Sequence, residues 1–227
     1  MHEIIYPLSF DSAILNRSCF RINPVNVEQV KKAFEKYSNQ SNIFIDTKID
    51  ASNKDLDNLL QKLGFHKVCM QIQLFLPNSR YLVDSSSIEP LEVLKMNSAE
   101  IHRHCNNFLY DRFSLDPRIP KVQRDDLYTT WIKNTLANSS ILKVSRDANF
   151  ISFKTNLDSL KLDLTSVLDK GKGIGSILLQ DIQSYASQHN FKKIEVLTET
   201  ENIAAVQFYL KNRFEVDRFY SCFHYIR

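Results

Sequence analysis

The sequence has no long hydrophobic run, few cysteines and little net charge, and each of these shortages argues against a class of protein. No stretch of about 18 consecutive apolar residues occurs, so a membrane-spanning helix is not predicted. The N-terminal residues Met1 to Pro7 lack a charged leader followed by an apolar core, so a signal peptide is not predicted either. We therefore expect a cytoplasmic protein without a membrane partner.

The four cysteines, Cys19, Cys69, Cys105 and Cys222, are scattered along the chain and form no C-x-x-C pair. This spacing predicts neither a zinc site nor a dense disulfide framework, and we expect no bound metal. The net charge is only +3, and the 29 basic residues are spread among 26 acidic ones rather than gathered in a run. Nucleic acid is therefore not an expected partner.

Glycine is also scarce, but three of the four glycines fall within five residues, at Gly171, Gly173 and Gly175. They follow an alternating apolar run at 160–167 and precede a helical pattern that begins at Ser176. Glycine lets backbone N–H groups converge on one point, and a helix N-terminus adds positive partial charge there. The pattern predicts an anion-binding loop, and the alternative is a plain glycine-rich turn between a strand and a helix.

The glycine spacing distinguishes between the known phosphate loops. A Walker A loop needs Lys and then Ser or Thr directly after its last glycine, whereas Gly175 is followed by Ser176 and Ile177. A dinucleotide fingerprint needs a third glycine three residues after the second, and none occurs there. The remaining pattern, Lys170-Gly-Lys-Gly-Ile-Gly175, is similar to the Q/R-x-x-G-x-G/A pyrophosphate loop of GNAT-type N-acetyltransferases, although Lys stands in place of Gln or Arg.

The order of elements predicted over residues 88–227 also resembles the GNAT fold. The apolar patterns predict a strand, two helices, three strands, and then helix, strand, helix and strand. Their predicted bounds are 91–96, 99–109, 123–136, 141–145, 150–155, 160–165, 176–188, 193–198, 202–211 and 215–225. The resemblance implies an α/β (α+β) fold with a mixed, mostly antiparallel central sheet.

A smaller α+β unit is predicted to precede this domain. The polar stretch Ser85-Ser86-Ser87 indicates a boundary near residue 86, which gives units of 1–86 and 87–227. The elements predicted in the first unit are a strand at 42–47, a helix at 54–63 and a strand at 67–76, an order that weakly repeats the end of the second unit. Since the first unit has no loop with phosphate-binding spacing, we expect it to be structural or to shape the substrate site.

The GNAT resemblance implies acetyl-CoA (coenzyme A) as the cofactor. In such enzymes the strand before the glycine loop diverges from its neighbour and holds the pantetheine arm, and the loop binds the pyrophosphate. The cofactor-binding residues implied here are Leu164, Thr165, Ser166, Val167, Leu168, Asp169, Lys170, Gly171, Lys172, Gly173, Ile174, Gly175, Ser176 and Asn202.

The resemblance also implies a catalytic residue on the helix at 202–211. GNAT enzymes often carry an Asn near the start of this helix and a Tyr about two turns later, and these are Asn202 and Tyr209 here. Seven residues advance about 700° along a helix, which places both side chains on one face. A phenol with a pKa of about 10 suits protonation of a leaving thiolate, so Tyr209 is the expected general acid. The alternative is a core tyrosine beside Phe208 and Leu210.

Substrate recognition is expected from the irregular, proline-containing segment at 111–124. Arg112, Phe113 and Arg118, together with Trp131 on the following helix, are the predicted substrate-binding residues. Guanidinium groups bind phosphate oxygens in paired hydrogen bonds, and aromatic faces stack on a base. The alternative is a solvated loop whose charges pair with nearby aspartates.

The run Arg112-Phe113-x-x-Asp116-Pro and the helix containing Trp131 resemble acetyltransferases of dTDP-linked amino sugars, such as dTDP-fucosamine acetyltransferase. This resemblance implies acetylation of the amino group of a dTDP-linked deoxysugar by direct attack on the thioester, and homodimers are common in that group. Acetylation of another amine (a polyamine, an antibiotic or a protein N-terminus) and non-catalytic binding of acyl-CoA are the alternatives. The general base is open between Asp163, Glu195 and an ordered water chain.

Overall fold

The computed structural model describes residues 4–24, 26–84 and 88–227. Its strands are β1 (Ile5–Pro7), β2 (Ser18–Ile22), β3 (Ile43–Asp50), β4 (His66–Pro77), β5 (Leu142–Arg146), β6 (Asn149–Thr155), β7 (Ser159–Ser166), β8 (Lys193–Glu199) and β9 (Glu215–Ile226). Its α-helices are α1 (Ser9–Leu15), α2 (Val27–Tyr37), α3 (Lys54–Lys62), α4 (Ser98–Cys105), α5 (Lys121–Ala137), α6 (Ile174–Gln188) and α7 (Ile203–Lys211). None of these helices is long and apolar enough to cross a lipid bilayer.

All nine of these strands belong to one sheet, in the order β1-β2-β3-β9-β4-β8-β7-β6-β5. Among the described strands, β2–β3 and β7–β8 pair in parallel, and the other neighbours pair antiparallel. The predicted mixed, mostly antiparallel sheet of an α/β (α+β) fold is therefore confirmed. Helices cover both faces of this sheet: α6 and α7 pack on one, and α4 and α5 on the other.

The sheet repeats the same arrangement on either side of its centre. In each half a parallel strand pair is followed by a short helix and a long strand: β2 and β3 precede α3 and β4, and β7 and β8 precede α7 and β9. The two long strands are exchanged between the halves, because β4 lies between β8 and β9 while β9 lies between β3 and β4. The N-terminal half (β1 to β4) and the C-terminal half (α4 to β9) therefore share one hydrogen-bonded sheet.

Most of the predicted elements are present, but two differ. The strand predicted at 91–96 is wrong: Leu91 makes one isolated bridge to Lys143, and the side chain of Val93 is exposed. The helix predicted at 99–109 ends at Cys105, where the chain turns and the Asn107 amide bonds back to the carbonyl of His104. The boundary predicted near residue 86 falls on residues 85–87, outside the described residues, and the division into two units stays a prediction.

Candidate functional site

A wedge-shaped gap opens between the parallel strands β7 and β8. They pair only from Ser159–Lys161 to Lys193–Glu195. Beyond that point β7 continues along β6 and β8 continues along β4, so the two strands separate. We call the gap between residues 162–166 and 196–199 the notch; it opens into a cleft of about 910 Å³.

Side chains of β6 hold the end of β7 on its own side of the notch. The Asn149 Oδ1 accepts the amides of Leu168 and Asp169 at 2.8 and 3.2 Å. The Ser152 Oγ, at a bulge in β6, accepts the amide of Leu164 at 3.0 Å. Because these three amides donate to side chains of β6, the end of β7 stays beside β6 and diverges from β8.

The glycine loop lies at the wide end of the notch and presents unpaired amides. Gly171 and Gly173 adopt left-handed φ values of 79° and 78°, a conformation that favours glycine. Within the described part of the chain, the amides of residues 170–175 donate to no protein acceptor. Since α6 begins directly after this loop, the same region carries the positive end of the helix dipole. The loop therefore has the form of an anion cradle that fits a pyrophosphate.

Gly175 has a different reason to be glycine. Its φ is not left-handed, but an added Cβ would lie 3.1 Å from the Phe208 ring and 3.5 Å from a methyl of Val167. The glycine therefore lets the first turn of α6 approach α7 closely. This approach brings the loop and α7 to the same end of the cleft.

The structure places 11 of the 14 predicted cofactor residues along the cleft. The three that do not line it are engaged elsewhere. Ser166 Oγ lies 2.7 Å from Nδ1 of the buried His104, Leu168 donates its amide to Asn149, and Lys172 pairs with Asp169 at 2.9 Å.

Asn202 and Tyr209 both face the cleft, as the helical spacing predicts. The Asn202 Oδ1 caps α7 by accepting the Ala205 amide at 3.2 Å. Tyr209 is only 3% exposed, and its hydroxyl donates to Thr165 Oγ1 of β7 at 2.9 Å. Burial raises the pKa of Tyr209 to about 12, although the bond to Thr165 opposes the shift. The ring belongs to the core, as the alternative interpretation holds, while the hydroxyl reaches into the notch.

One face of the central strands carries a polar row that floors the cleft. Paired positions in adjacent strands share a face, which aligns Lys48 with Cys222 and Gln71 with Glu199. This face lies beneath the segment at 107–113, and the N-terminal half supplies part of the floor through β3 and β4. The site is thus built from both halves of the sheet.

Glu199, at the last residue of β8, is the carboxylate that the sequence predictions missed. It lines the cleft, and its Oε1 accepts a hydrogen bond from Gln71 Nε2 at 2.9 Å. Burial raises the pKa of Glu199, and the negative charge of Asp111 adds to this shift, while Arg112 opposes it. The alternation of side chains along β8 would place residue 199 on the face that lines the cleft. The strand predicted from the sequence ends at Thr198, however, one residue before Glu199.

The two carboxylates considered from sequence are engaged with lysines. Asp163 lines the cleft, and its Oδ1 lies 3.3 Å from the Lys154 ammonium. Glu195 pairs with Lys193 at 2.6 Å and lies outside the residues that line the cleft. Glu199 is therefore the carboxylate best placed to act at the notch.

Three of the four predicted substrate-binding residues line the cleft: Arg112, Phe113 and Trp131. Arg112 bonds to the buried carboxylate of Asp46 and packs over the Phe113 ring. Arg118 is not among the residues that line the cleft, because it is held in a bidentate pair with Asp116 at 2.9 and 2.7 Å. For Arg118 the structure therefore favours the alternative, in which the charge is paired within the segment.

Asp116 is fully buried and bonds to Arg118 and to the imidazole of His224. Its Oδ2 accepts from Nδ1 of the equally buried His224 at 2.9 Å, in addition to the pair with Arg118. Burial alone would raise the pKa of Asp116, but the hydrogen bonds from His224 and Arg118 outweigh it and hold the pKa well below its usual range. The network fixes the segment at 111–120 against β9.

Replacing Asp116 with alanine is expected to lower the free energy of unfolding by about 3 kcal/mol at pH 7, since it breaks a buried pair. Because the folded pKa of Asp116 is depressed, its contribution is present above a pH of about 3.9 and is lost as the pH falls toward the folded pKa. Urea unfolding would measure both effects. The exposed pair of Asp125 with Lys121 provides the control, because Asp125→Ala should change stability by less than about 0.5 kcal/mol.

Three features characterise the cleft: a diverging parallel strand pair, a loop of unpaired amides at its wide end and a buried tyrosine hydroxyl between them. Residues 170–214 match the sequence model of the Acetyltransferase (GNAT) family. This match spans α6, β8 and α7, the elements that carry the cradle and Tyr209.

Comparison with whole proteins gives a short sequence match and a broad structural one. Over 59 residues the chain is 36% identical to the uncharacterized protein YxbD of Bacillus subtilis (strain 168); the match covers 26% of this chain and 36% of YxbD. The fold is similar to a functionally unknown conserved protein from Staphylococcus epidermidis, with a TM-score of 0.59, 12% identity, and coverage of 97% of this chain and 89% of that one.

Two further solved structures are described as members of the GNAT class. A GCN5-related N-acetyltransferase from Sphaerobacter thermophilus has a TM-score of 0.55 at 10% identity, with coverage of 98% of this chain and 75% of that one. A tandem GNAT protein from the clavulanic acid biosynthesis pathway has a TM-score of 0.53 at 10% identity, with coverage of 92% and 75%. Residues 170–214 thus match the GNAT family, whose cofactor is acetyl-CoA, and the fold of the chain is similar to solved structures of that class.

Proposed function

We propose that this protein is an acetyl-CoA-dependent N-acetyltransferase that acts on the amino group of a nucleotide-linked (dTDP) amino-deoxysugar. The observation that carries the proposal is the position of the Tyr209 hydroxyl. It is held by Thr165 in the notch, between the amide cradle on one side and the polar floor on the other. A proton donor at this position supports acyl transfer, because a cofactor anchored in the cradle would meet an acceptor lying on the floor beside it.

The residues around the notch divide the chemistry of acyl transfer between them. Bound acetyl-CoA supplies the acetyl group as an activated thioester. The Glu199 carboxylate accepts the proton that an acceptor ammonium must lose to become a nucleophile. Tyr209 holds a proton at its hydroxyl oxygen, from which it can be donated to the thiolate released when the C–S bond breaks. The low exposure of Tyr209 keeps its hydroxyl away from bulk water.

The walls of the acceptor side support a substrate with both an aromatic and a polar part. Phe108 stacks on Tyr128 with ring centroids 4.8 Å apart and planes 6° apart, and Trp131 continues the row at 5.6 Å from Tyr128. The floor opposite this aromatic row is polar and charged. A nucleotide-linked sugar matches the combination, since its base can stack and its sugar and phosphates can form hydrogen bonds.

A thiol-release assay with acetyl-CoA across a panel of acceptors tests this proposal. The panel contains dTDP-linked amino-deoxysugars, the corresponding free amino sugars, polyamines, aminoglycosides and peptides. The highest kcat/KM is expected for a nucleotide-linked amino sugar. Preference for a polyamine, an antibiotic or a peptide would replace the substrate assignment, and acetyl-CoA binding without turnover of any amine would favour a non-catalytic module.

Replacing Glu199 with glutamine is expected to lower kcat/KM by about a hundredfold at pH 7, because the variant cannot take up the acceptor proton. The loss should shrink as the pH rises, since more of the amine is then neutral in solution. Measurement of kcat/KM against pH tests this. Glu195→Gln, on the same strand but outside the cleft lining, should behave as the wild type. A Glu199→Gln profile that parallels the wild type at all pH values would remove the base role.

A further inference from the structure

Two lysines from opposite halves of the sheet enter the acceptor side of the cleft. Lys48 comes from β3 and Lys161 from β7, and three strands lie between them. Within the ranges that the structure describes, neither ammonium forms an ion pair with a carboxylate. The Lys48 ammonium lies 4.4 Å from the centre of the Tyr220 ring.

The surroundings of Lys48 are positively charged. Although Lys48 is an exposed residue, partial desolvation in the cleft lowers the pKa of its ammonium, and Lys161, Arg21 and Arg112 lower it further, while Cys222 acts in the opposite direction. Arg21 and Arg112 share the single carboxylate of Asp46, which is 1% exposed. The buried Asp11 carboxylate also interacts electrostatically with both guanidinium groups, so the positive charge that faces Lys48 is only partly compensated.

Each remaining carboxylate of the cleft has its own partner. Glu199 is bonded to Gln71, Asp163 pairs with Lys154, and Asp169 pairs with Lys172. Asp111 Oδ1 accepts the backbone amides of residues 113 and 114 at 2.8 and 3.1 Å. None of these carboxylates pairs with Lys48 or Lys161, so both ammonium groups are available to bind an anion that enters the cleft.

We propose that Lys48 and Lys161 form an anion subsite that binds a phosphate group of the acceptor. The proposal rests on the proposed function and changes which residues recognise the acceptor. It assigns phosphate recognition to Lys48 of the N-terminal half and Lys161 of β7, rather than to Arg118. The subsite is distinct from the cradle at 170–175, which is left for the pyrophosphate of the cofactor.

Titration of thymidine diphosphate into protein saturated with coenzyme A tests the subsite, because the cofactor already fills the cradle. Calorimetry is expected to show binding that weakens with added salt. Lys48→Met and Lys161→Met should each raise the Kd of thymidine diphosphate by about tenfold, which corresponds to loss of one charge-assisted contact. The Kd of coenzyme A should not change in either variant. Lys192→Met, which removes an exposed lysine paired with Asp158, is the matched control and should bind as the wild type does.

The kinetic arm compares the amino sugar with and without the attached thymidine diphosphate. Lys48→Met should raise KM for a dTDP-linked amino sugar about tenfold and leave KM for the free amino sugar unchanged. Wild-type Kd values for thymidine diphosphate in both lysine variants would overturn the subsite, as would selective binding of a carboxylate such as citrate in its place. If the wild type acetylates no amine in the panel, the proposed function fails, while the diphosphate titration still decides the subsite.

Discussion

Replacement of Tyr209 with phenylalanine is expected to lower kcat by about a hundredfold while the Kd of acetyl-CoA stays within about twofold. The hydroxyl donates to Thr165 in the notch, and its proton is needed only when the thiolate leaves. The ring itself packs against Phe208 and Phe214, and these contacts survive in the variant. Steady-state kinetics and equilibrium binding of acetyl-CoA separate the two effects.

A second tyrosine of the same core serves as the control for this change. Tyr185 lies on α6, packs against Phe153 and loses the same hydroxyl in Tyr185→Phe, but it is not among the residues that line the cleft. This variant should retain wild-type turnover. If Tyr209→Phe does so as well, the hydroxyl has no part in protonating the leaving group, and its bond to Thr165 is structural.

Replacement of Gly173 with leucine is expected to weaken the binding of acetyl-CoA by about a hundredfold, through loss of two charge-assisted hydrogen bonds. A Cβ at Gly173 would point into open space above the cradle, with no protein atom within 4 Å. A leucine side chain would therefore occupy the space that a pyrophosphate needs in order to reach the amides of residues 170–175. Calorimetric titration with acetyl-CoA measures the loss.

The strain of a left-handed side chain must be separated from the loss of the cradle. Gly64 has a φ of 87°, close to the 78° of Gly173, but lies against Tyr225 and outside the cleft lining. Gly64→Ala should cost about 1–2 kcal/mol of stability and leave cofactor binding intact. Unchanged affinity in Gly173→Leu would contradict the assignment of the cradle.

The cofactor side of the site could be predicted from the sequence because it is local. A strand, three glycines and a helix start fall within one continuous stretch at 160–188, and the spacing of Asn202 and Tyr209 lies within one helix. Each of these signals depends on chain neighbours and on fixed helical or strand periodicity. The glycine register even separates this loop from other phosphate loops before any tertiary contact is known.

The acceptor side could not be predicted in the same way. Arg112 and Arg118 occur in one short segment and look equivalent in sequence, yet one lines the cleft and the other is locked to the buried Asp116. Lys48 and Lys161 lie more than a hundred residues apart in the sequence and line the same cleft only because β3 and β7 belong to one sheet. Glu199 gains its partner from Gln71, on a strand of the other half.

The sequence by itself determined the glycine cradle, the helix that carries Tyr209 and the order of most elements in the C-terminal half. The tertiary structure decided that β4 and β9 are exchanged between the halves, and therefore that the N-terminal half provides part of the floor of the cleft. The physical reason is the sequence distance over which each interaction acts. Periodicity and glycine conformation act within a few residues, whereas strand pairing and charge compensation depend on groups that only the folded chain brings together.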